Sequence, residues 1–263
     1  MNDEHLHQAN LIGLPTRYFA SPAFNSAPLP VAINGVREMS RGLFSVLDQH
    51  GAEEASALFI EHMRVMFDLP ESGAKEKGSA YRAHYLRLIR GWRFDSNRPE
   101  GAVMKGWAES RFGLRPLFHG GPIGSVNDPA YYTYLQERMS PRFHNNAIFS
   151  QLDLLYEFCQ YWLGRFGPEE GTIPLYRGSN GIGEENQLVE KREKRLWVVR
   201  NNSLVSYTAD RERADEFGDT VLMIEAPFAK IVCFPDLVEG GLPKSEAEYL
   251  TLGGDYLSEV VAS

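Results

Sequence analysis

Leu242-Pro-Lys-Ser-Glu-Ala-Glu-Tyr-Leu-Thr-Leu-Gly-Gly254 decides the reading of this chain. Its first half is polar and opens on proline, so it reads as a loop. Its second half is a β-rich run over 249–252 that a glycine pair interrupts, with a further run over 256–261 as the other member of a terminal pair. Two glutamates, Glu246 and Glu248, stand one residue apart where loop becomes strand.

Working backward from that stretch, short β-rich runs recur at 172–176, 196–199, 203–208, 220–225 and 230–234, each bounded by Gly, Pro, Asn or Asp. Between them, 210–217 reads as a short helix, with Asp210 as its N-cap and Gly218 as its stop. Upstream of Pro168 the period changes to that of helices. Ala52, Ala55, Phe59, Met63 and Met66 recur at three- and four-residue spacing, as do Tyr81, Tyr85, Leu88 and Trp92, and as do Ile148, Leu152, Leu155, Phe158, Cys159, Trp162 and Phe166. Such stripes read as core. The span 101–129, rich in Gly and Pro, reads as a long structured loop region.

The expected architecture is therefore α+β. Residues 1–30 form an N-terminal arm, 31–168 a mainly helical portion, and 169–263 the sheet-bearing portion, packed together as one functional unit.

Composition narrows the function classes. Hydrophobic content of 43% and charged content of 24% are those of a globular protein. No apolar run reaches about eighteen residues, so no membrane span is expected. The start, Met-Asn-Asp-Glu-His-Leu-His, is acidic and polar where a signal peptide would be basic and then apolar, and a cytoplasmic location is expected. Two cysteines, Cys159 and Cys233, sit in apolar patterns and read as buried and inert. The seven histidines show no HExxH pairing, and no metal is expected. Net charge is −8, and residues 169–263 hold 10 Lys/Arg against 18 Asp/Glu while residues 1–168 hold 17 of each, which argues against nucleic acid as a partner. The stretch 81–115 is locally basic, with eight Lys/Arg against Asp95, Glu100 and Glu109. It reads either as a solvated helical face with a basic loop or, in part, as a docking surface for an acidic face of a protein partner.

Neither glycine-rich segment is a phosphate loop. Phe118-His-Gly-Gly-Pro-Ile-Gly124 lacks the Gly-x-x-x-x-Gly-Lys-Ser/Thr spacing and reads as a turn, and Gly178-Ser-Asn-Gly-Ile-Gly183 has no GxGxxG register. What precedes the second segment matters more. Leu175-Tyr176-Arg177-Gly178, then Leu204-Val205-Ser206-Tyr207-Thr208, then Glu246-Ala247-Glu248 follow in a fixed order.

An arginine at a strand end, a Ser-x-Thr strand and a Glu-x-Glu loop resemble the pattern of the Arg-Ser-Glu class of ADP-ribosyltransferases. Together with Ser21-Pro-Ala-Phe-Asn-Ser-Ala-Pro-Leu-Pro-Val-Ala-Ile-Asn-Gly-Val-Arg-Glu38, the chain resembles the bacterial dinitrogenase reductase ADP-ribosyltransferases over nearly its whole length.

That resemblance implies a split two-sheet cleft for NAD as co-substrate, and a transferase that moves ADP-ribose to an arginine of dinitrogenase reductase. It also implies reversible inactivation of that target in the regulation of nitrogen fixation, under a nitrogen-status signal-transduction protein. Arg177 is implied to hold the NAD phosphate and ribose side, with Gly178 letting the backbone approach the dinucleotide. Ser206 is implied to brace the nicotinamide-ribose end and the catalytic glutamate. Thr208 stands where the family often has a second serine. Glu248 is implied to stabilise the ribosyl cation and Glu246 to serve the acceptor arginine. Phe217 and Tyr249 are candidates for packing on nicotinamide. The rival readings are an NAD glycohydrolase, which needs Arg177, Ser206 and Glu248 but not Glu246, and a non-catalytic NAD-sensing module, which an intact set argues against.

Overall fold

The protein is described by a computed structural model, which covers residues 5–9, 11–70, 83–180, 182 and 186–262. Tyr81 of the second helical stripe, Arg82 of the basic stretch, and Gly181 and Gly183 of the second glycine segment lie outside the described residues.

The helices are α1 (Thr16–Phe19), α2 (Pro22–Ser26), α3 (Val36–Met39), α4 (Arg41–Leu47), α5 (Ala52–Phe67), α6 (Tyr85–Phe94), α7 (Pro99–Phe112), α8 (Pro129–Arg138), α9 (Ile148–Phe166) and α10 (Arg211–Asp215). The strands are β1 (Thr172–Ser179), β2 (Asn186–Lys191), β3 (Leu196–Thr208), β4 (Thr220–Pro227), β5 (Ile231–Cys233) and β6 (Glu248–Ala262). Mixed helix and antiparallel sheet make this an α+β protein. The strands run β2-β3-β1-β4-β6-β5 in one connected sheet. Because β3 also pairs with β6 along most of its length, β3, β6, β4 and β1 are linked in a ring.

The long helices bury most of the stripe their spacing requires, though Met66 at the end of α5 is exposed and Trp162 and Phe166 of α9 are half-buried. Ala55, Phe59 and Met63 of α5 are fully buried, and Phe59 stacks on Phe158 of α9 at 4.1 Å between ring centroids. Helix α9 is fastened to the sheet as well as packed on it: the Tyr156 hydroxyl donates to the Ala229 carbonyl (2.9 Å), and the Gln160 amide to that of Ile231 (2.8 Å). One continuous apolar cluster runs from Phe19 and Phe24 through Phe59 and Phe158 to Ile231, Leu250 and Leu252. The first thirty residues thus contribute two short helices and two fully buried rings to the common core.

Three expectations change. The runs at 196–199 and 203–208 are one strand, and so are those at 249–252 and 256–261. Asn201-Asn202 and Gly253-Gly254, which look like turns, face each other across the ladder as a bulge, where the register jumps between Asn201↔Gly254 and Leu204↔Leu252. A side chain at 253 would sit 1.8 Å from the Asn202 carbonyl oxygen, and Gly254 has φ +105°, so glycine is required there by the bulge itself. Strand β2 is an addition, a polar edge strand without an alternating apolar pattern. The first twelve residues of the expected loop region belong to α7, whose Ala102, Val103, Met104, Lys105, Trp107 and Ala108 are all fully buried. A helix buried all round shows no stripe, and its glycines sit where neighbours press close: a Cβ at Gly106 would lie 2.6 Å from the Arg138 side chain.

Elsewhere the expected elements form. Asp210 caps α10, accepting from the Glu212 and Arg213 amides, and the 118–124 segment makes a turn with His119 N–H donating to the Gly121 carbonyl. Both cysteines are buried, which pushes their thiols up, that of Cys233 to about 12. Among the described residues no helix is long and apolar enough to cross a membrane.

Candidate functional site

Side chains alternate along a strand, so Leu204, Ser206 and Thr208 share one face of β3. Their partners on β6 in the ladder are Leu252, Leu250 and Glu248. That shared face begins in the main core, where Leu204 and Leu252 are buried, and ends at Thr208 and Glu248. The polar residues emerge at the mouth of a cleft of about 970 Å³, lined by β1, β3, the end of α6, α10 and the Glu246–Glu248 turn.

The Ser206 hydroxyl is the centre of the site. It donates to Glu248 Oε1 at 2.5 Å and accepts from the Trp92 indole N–H at 2.9 Å. An indole can only donate, so Trp92 fixes the direction of the serine proton toward the carboxylate. Arg177, at the end of β1, donates from Nη1 to the Ser206 carbonyl oxygen at 2.8 Å. Thr208 is turned to the backbone: its hydroxyl donates to the Glu246 carbonyl (3.0 Å) and accepts from the Asp210 amide (3.1 Å), tying the glutamate turn to the start of α10.

The two glutamates differ in setting. Glu246 ends a single 3-10 turn, Lys244–Glu246, and Ala247 follows with φ 44° in the left-handed region before β6 begins. The Glu248 side chain is 13% exposed and that of Glu246 36%. Burial pushes the Glu248 carboxyl above its usual value, the Ser206 hydrogen bond opposes this, the neighbouring Glu246 charge adds to it and Arg93 works against it. Arg93, from the last turn of α6, sends Nη2 and Nε to the two oxygens of Glu246 at 3.0 and 3.4 Å, and its Nε lies 3.9 Å from Glu248 Oε2.

Arg177, Gly178, Ser206, Thr208, Glu246 and Glu248 all line this cleft. Gly178 has a packing reason beside any ligand: a Cβ there would lie 2.0 Å from the Ala214 carbonyl oxygen of α10. Phe217 lines the cleft with its ring largely in solvent, whereas Tyr249 stacks on Phe234 in the core and is not at the cleft.

Two contributors escaped the sequence reading. Trp92 belongs to an apolar stripe and reads as core, and Arg93 belongs to the basic stretch. Other residues of that stretch are also tied into the molecule. Arg93 faces Glu246, Arg111 forks onto Asp153 at 2.7 and 2.8 Å, Lys105 is buried with its ammonium on the Phe118 carbonyl, and Arg90 donates to that of Gly240. Much of this charge is engaged within the molecule, while Arg90, Arg93 and Arg98 stay exposed.

A sequence model of the dinitrogenase reductase ADP-ribosyltransferase family matches residues 9–260. A protein of Rhodospirillum rubrum named NAD(+)--dinitrogen-reductase ADP-D-ribosyltransferase is 48% identical over 259 residues, covering 95% of this chain and 94% of that protein. No solved structure matches the chain.

Proposed function

The chain belongs to the dinitrogenase reductase ADP-ribosyltransferase family, and on that premise we propose that it transfers ADP-ribose from NAD to an arginine of dinitrogenase reductase, with Glu248 as the catalytic carboxylate. The observation that carries the assignment is the ordered line Trp92 indole, Ser206 hydroxyl, Glu248 carboxylate at the mouth of the cleft. The cleft between the end of β1, the 204–208 half of β3 and the end of α6 is the place for NAD.

Arg177 supplies the fixed positive charge a diphosphate needs, and its planar fork also braces the strand that carries Ser206. Cleavage sends the electron pair of the bond between C1′ and the nicotinamide nitrogen to nicotinamide, and positive charge develops on the ribose. A half-buried carboxylate held in place opposes that charge without having to reorganise. The acceptor guanidinium nitrogen then bonds to C1′, and the proton it sheds passes to Glu246, whose more exposed position suits an incoming macromolecule. Thr208 acts by holding the Glu246 turn, and Gly178 by letting α10 close on β1.

The enzyme acts in the cytoplasm, where its modification of dinitrogenase reductase is reversible and regulates nitrogen fixation, under a nitrogen-status signal-transduction protein that controls it. The test uses labelled NAD with purified dinitrogenase reductase, scored for labelled protein and free nicotinamide. Glu248→Gln is expected to lower both by at least about a hundredfold while NAD still binds, and Glu246→Gln to lower protein labelling far more than nicotinamide release. Equal losses for Glu246→Gln would sink the division of labour between the two glutamates, nicotinamide release by wild type with no labelled protein would favour the NAD glycohydrolase reading, and a loss under about threefold for Glu248→Gln would refute the catalytic assignment.

A further inference from the structure

The Arg93 guanidinium already lies where an acceptor arginine has to be. It forks onto Glu246 through Nη2 and Nε, at 3.0 and 3.4 Å, and approaches Glu248 Oε2 to 3.9 Å, so one cation sits against both carboxylates. Its backbone belongs to the last turn of α6, one residue after Trp92, whose indole orients Ser206, so the same short segment delivers both groups to the site. The Arg93 side chain is 31% exposed, which leaves it room to swing out into the cleft mouth.

We propose that Arg93 is an internal occupant of the acceptor site, a guanidinium that holds the place of the target arginine and must leave before transfer. The inference rests on the roles given above to Glu246 and Glu248. Charge explains why a resident cation belongs there. Two carboxylates one residue apart raise each other's cost of ionisation, and a guanidinium between them relieves it. A target arginine brings the same charge and the same fork, so it replaces Arg93 with no net change in the local balance. The exchange is a competition for one site, and its strength follows from the exposure of the pair. A partly exposed fork of this kind is worth little, so Arg93 occupies the site for only part of the time, and apparent acceptor affinity is reduced by that fraction.

The test is steady-state transfer from labelled NAD to two acceptors, purified dinitrogenase reductase and agmatine, a small guanidino compound, using wild type, Arg93→Gln and Arg93→Lys. Glutamine removes charge and fork, and lysine keeps the charge but loses the fork. Arg93→Gln is expected to lower the acceptor KM roughly two- to sixfold for each acceptor that wild type or variant uses, with Arg93→Lys between. An acceptor KM that stays the same or rises in Arg93→Gln overturns the proposal, and so does a change confined to kcat, which makes Arg93 a positioning residue for Glu248. Should Arg93→Gln fail to fold, the lysine variant decides by the same criterion. If wild type labels neither acceptor while releasing nicotinamide, the transferase reading itself fails, and that outcome is distinct from an unchanged KM in an active enzyme.

Discussion

Replacing Trp92 by phenylalanine removes the indole N–H donor together with part of the ring volume. The ring is 5% exposed, so phenylalanine keeps most of the apolar contact, but the Ser206 hydroxyl loses the N–H at 2.9 Å that fixes its direction. A neutral hydrogen bond of this kind is worth about 0.5–1.5 kcal/mol, or about 2- to 12-fold in rate when it acts on the transition state. Ser206→Ala removes the next link, the 2.5 Å bond to the carboxylate. A hydrogen bond to a charged group is worth about 1.5–3 kcal/mol, roughly 10- to 150-fold. Since Trp92 acts only through Ser206, the double variant is expected to be no slower than Ser206→Ala alone, which is the non-additivity of groups in one chain. The assay is kcat for ADP-ribose transfer to dinitrogenase reductase, with thermal melts to confirm that each variant is folded. Trp92→Phe at the wild-type rate, or losses that multiply in the double variant, would refute the relay.

Three further outcomes follow from the titration of Glu248 and the packing at Gly178. Burial, aided by Glu246, raises Glu248 above the usual carboxyl value of 4.5, so the acid limb of nicotinamide release is expected above pH 4.5, and Ser206→Ala should move it further up while Glu246→Gln moves it down. A raised native pKa means the folded state binds the proton more tightly than the unfolded one, so stability falls as pH rises from 4.5 through the raised value; Glu248→Gln should melt higher than wild type at pH 7, with the gap closing below pH 4.5. Gly178→Ala forces a methyl to within 2.0 Å of the Ala214 carbonyl and should cost about 1–3 kcal/mol, roughly 2–12 °C in melting temperature; an unchanged melt with a raised KM for NAD would show instead that Gly178 serves only the dinucleotide.

The sequence made the order Arg177, Ser206, Glu248 legible because strand ends and turns leave local marks. Helices α5 and α6 were equally plain, each having one buried stripe, and α9 showed through its long apolar period although 151–159 are all buried. What stayed hidden depends on contacts between distant segments. A bulge and a turn use the same residues, and only the facing of Asn201-Asn202 by Gly253-Gly254 tells them apart. Helix α7 hides its period because neighbours cover every side. Trp92 satisfies an apolar stripe and a polar contact at once, and the partner that reveals the second role is 114 residues away.

The placement of Glu246 and Glu248 shows why two like residues two positions apart need not compete for one task. Ala247 leaves the strand path at φ 44°, a conformation that a non-glycine residue adopts at some cost and that the Thr208 bond to the Glu246 carbonyl helps to hold. Beyond this break β6 is bound along its length to β3, and Glu248 inherits that rigidity directly from the ladder, one rung beyond Leu250 in a face that is solid core two rungs further on. Glu246, before the break, has no ladder partner; its carbonyl accepts from Thr208 and its carboxylate is met only by the partly exposed Arg93 fork. A rigid, half-buried carboxylate suits a charge that must already be in place when the ribose becomes cationic. A more exposed one on a short turn suits a guanidinium that arrives on another macromolecule, or one that waits on α6. The helical portion enters the chemistry at this boundary: α6 orients the fixed carboxylate through Trp92 and occupies the exposed one through Arg93, so a shift of that single helix would act on both steps of the transfer.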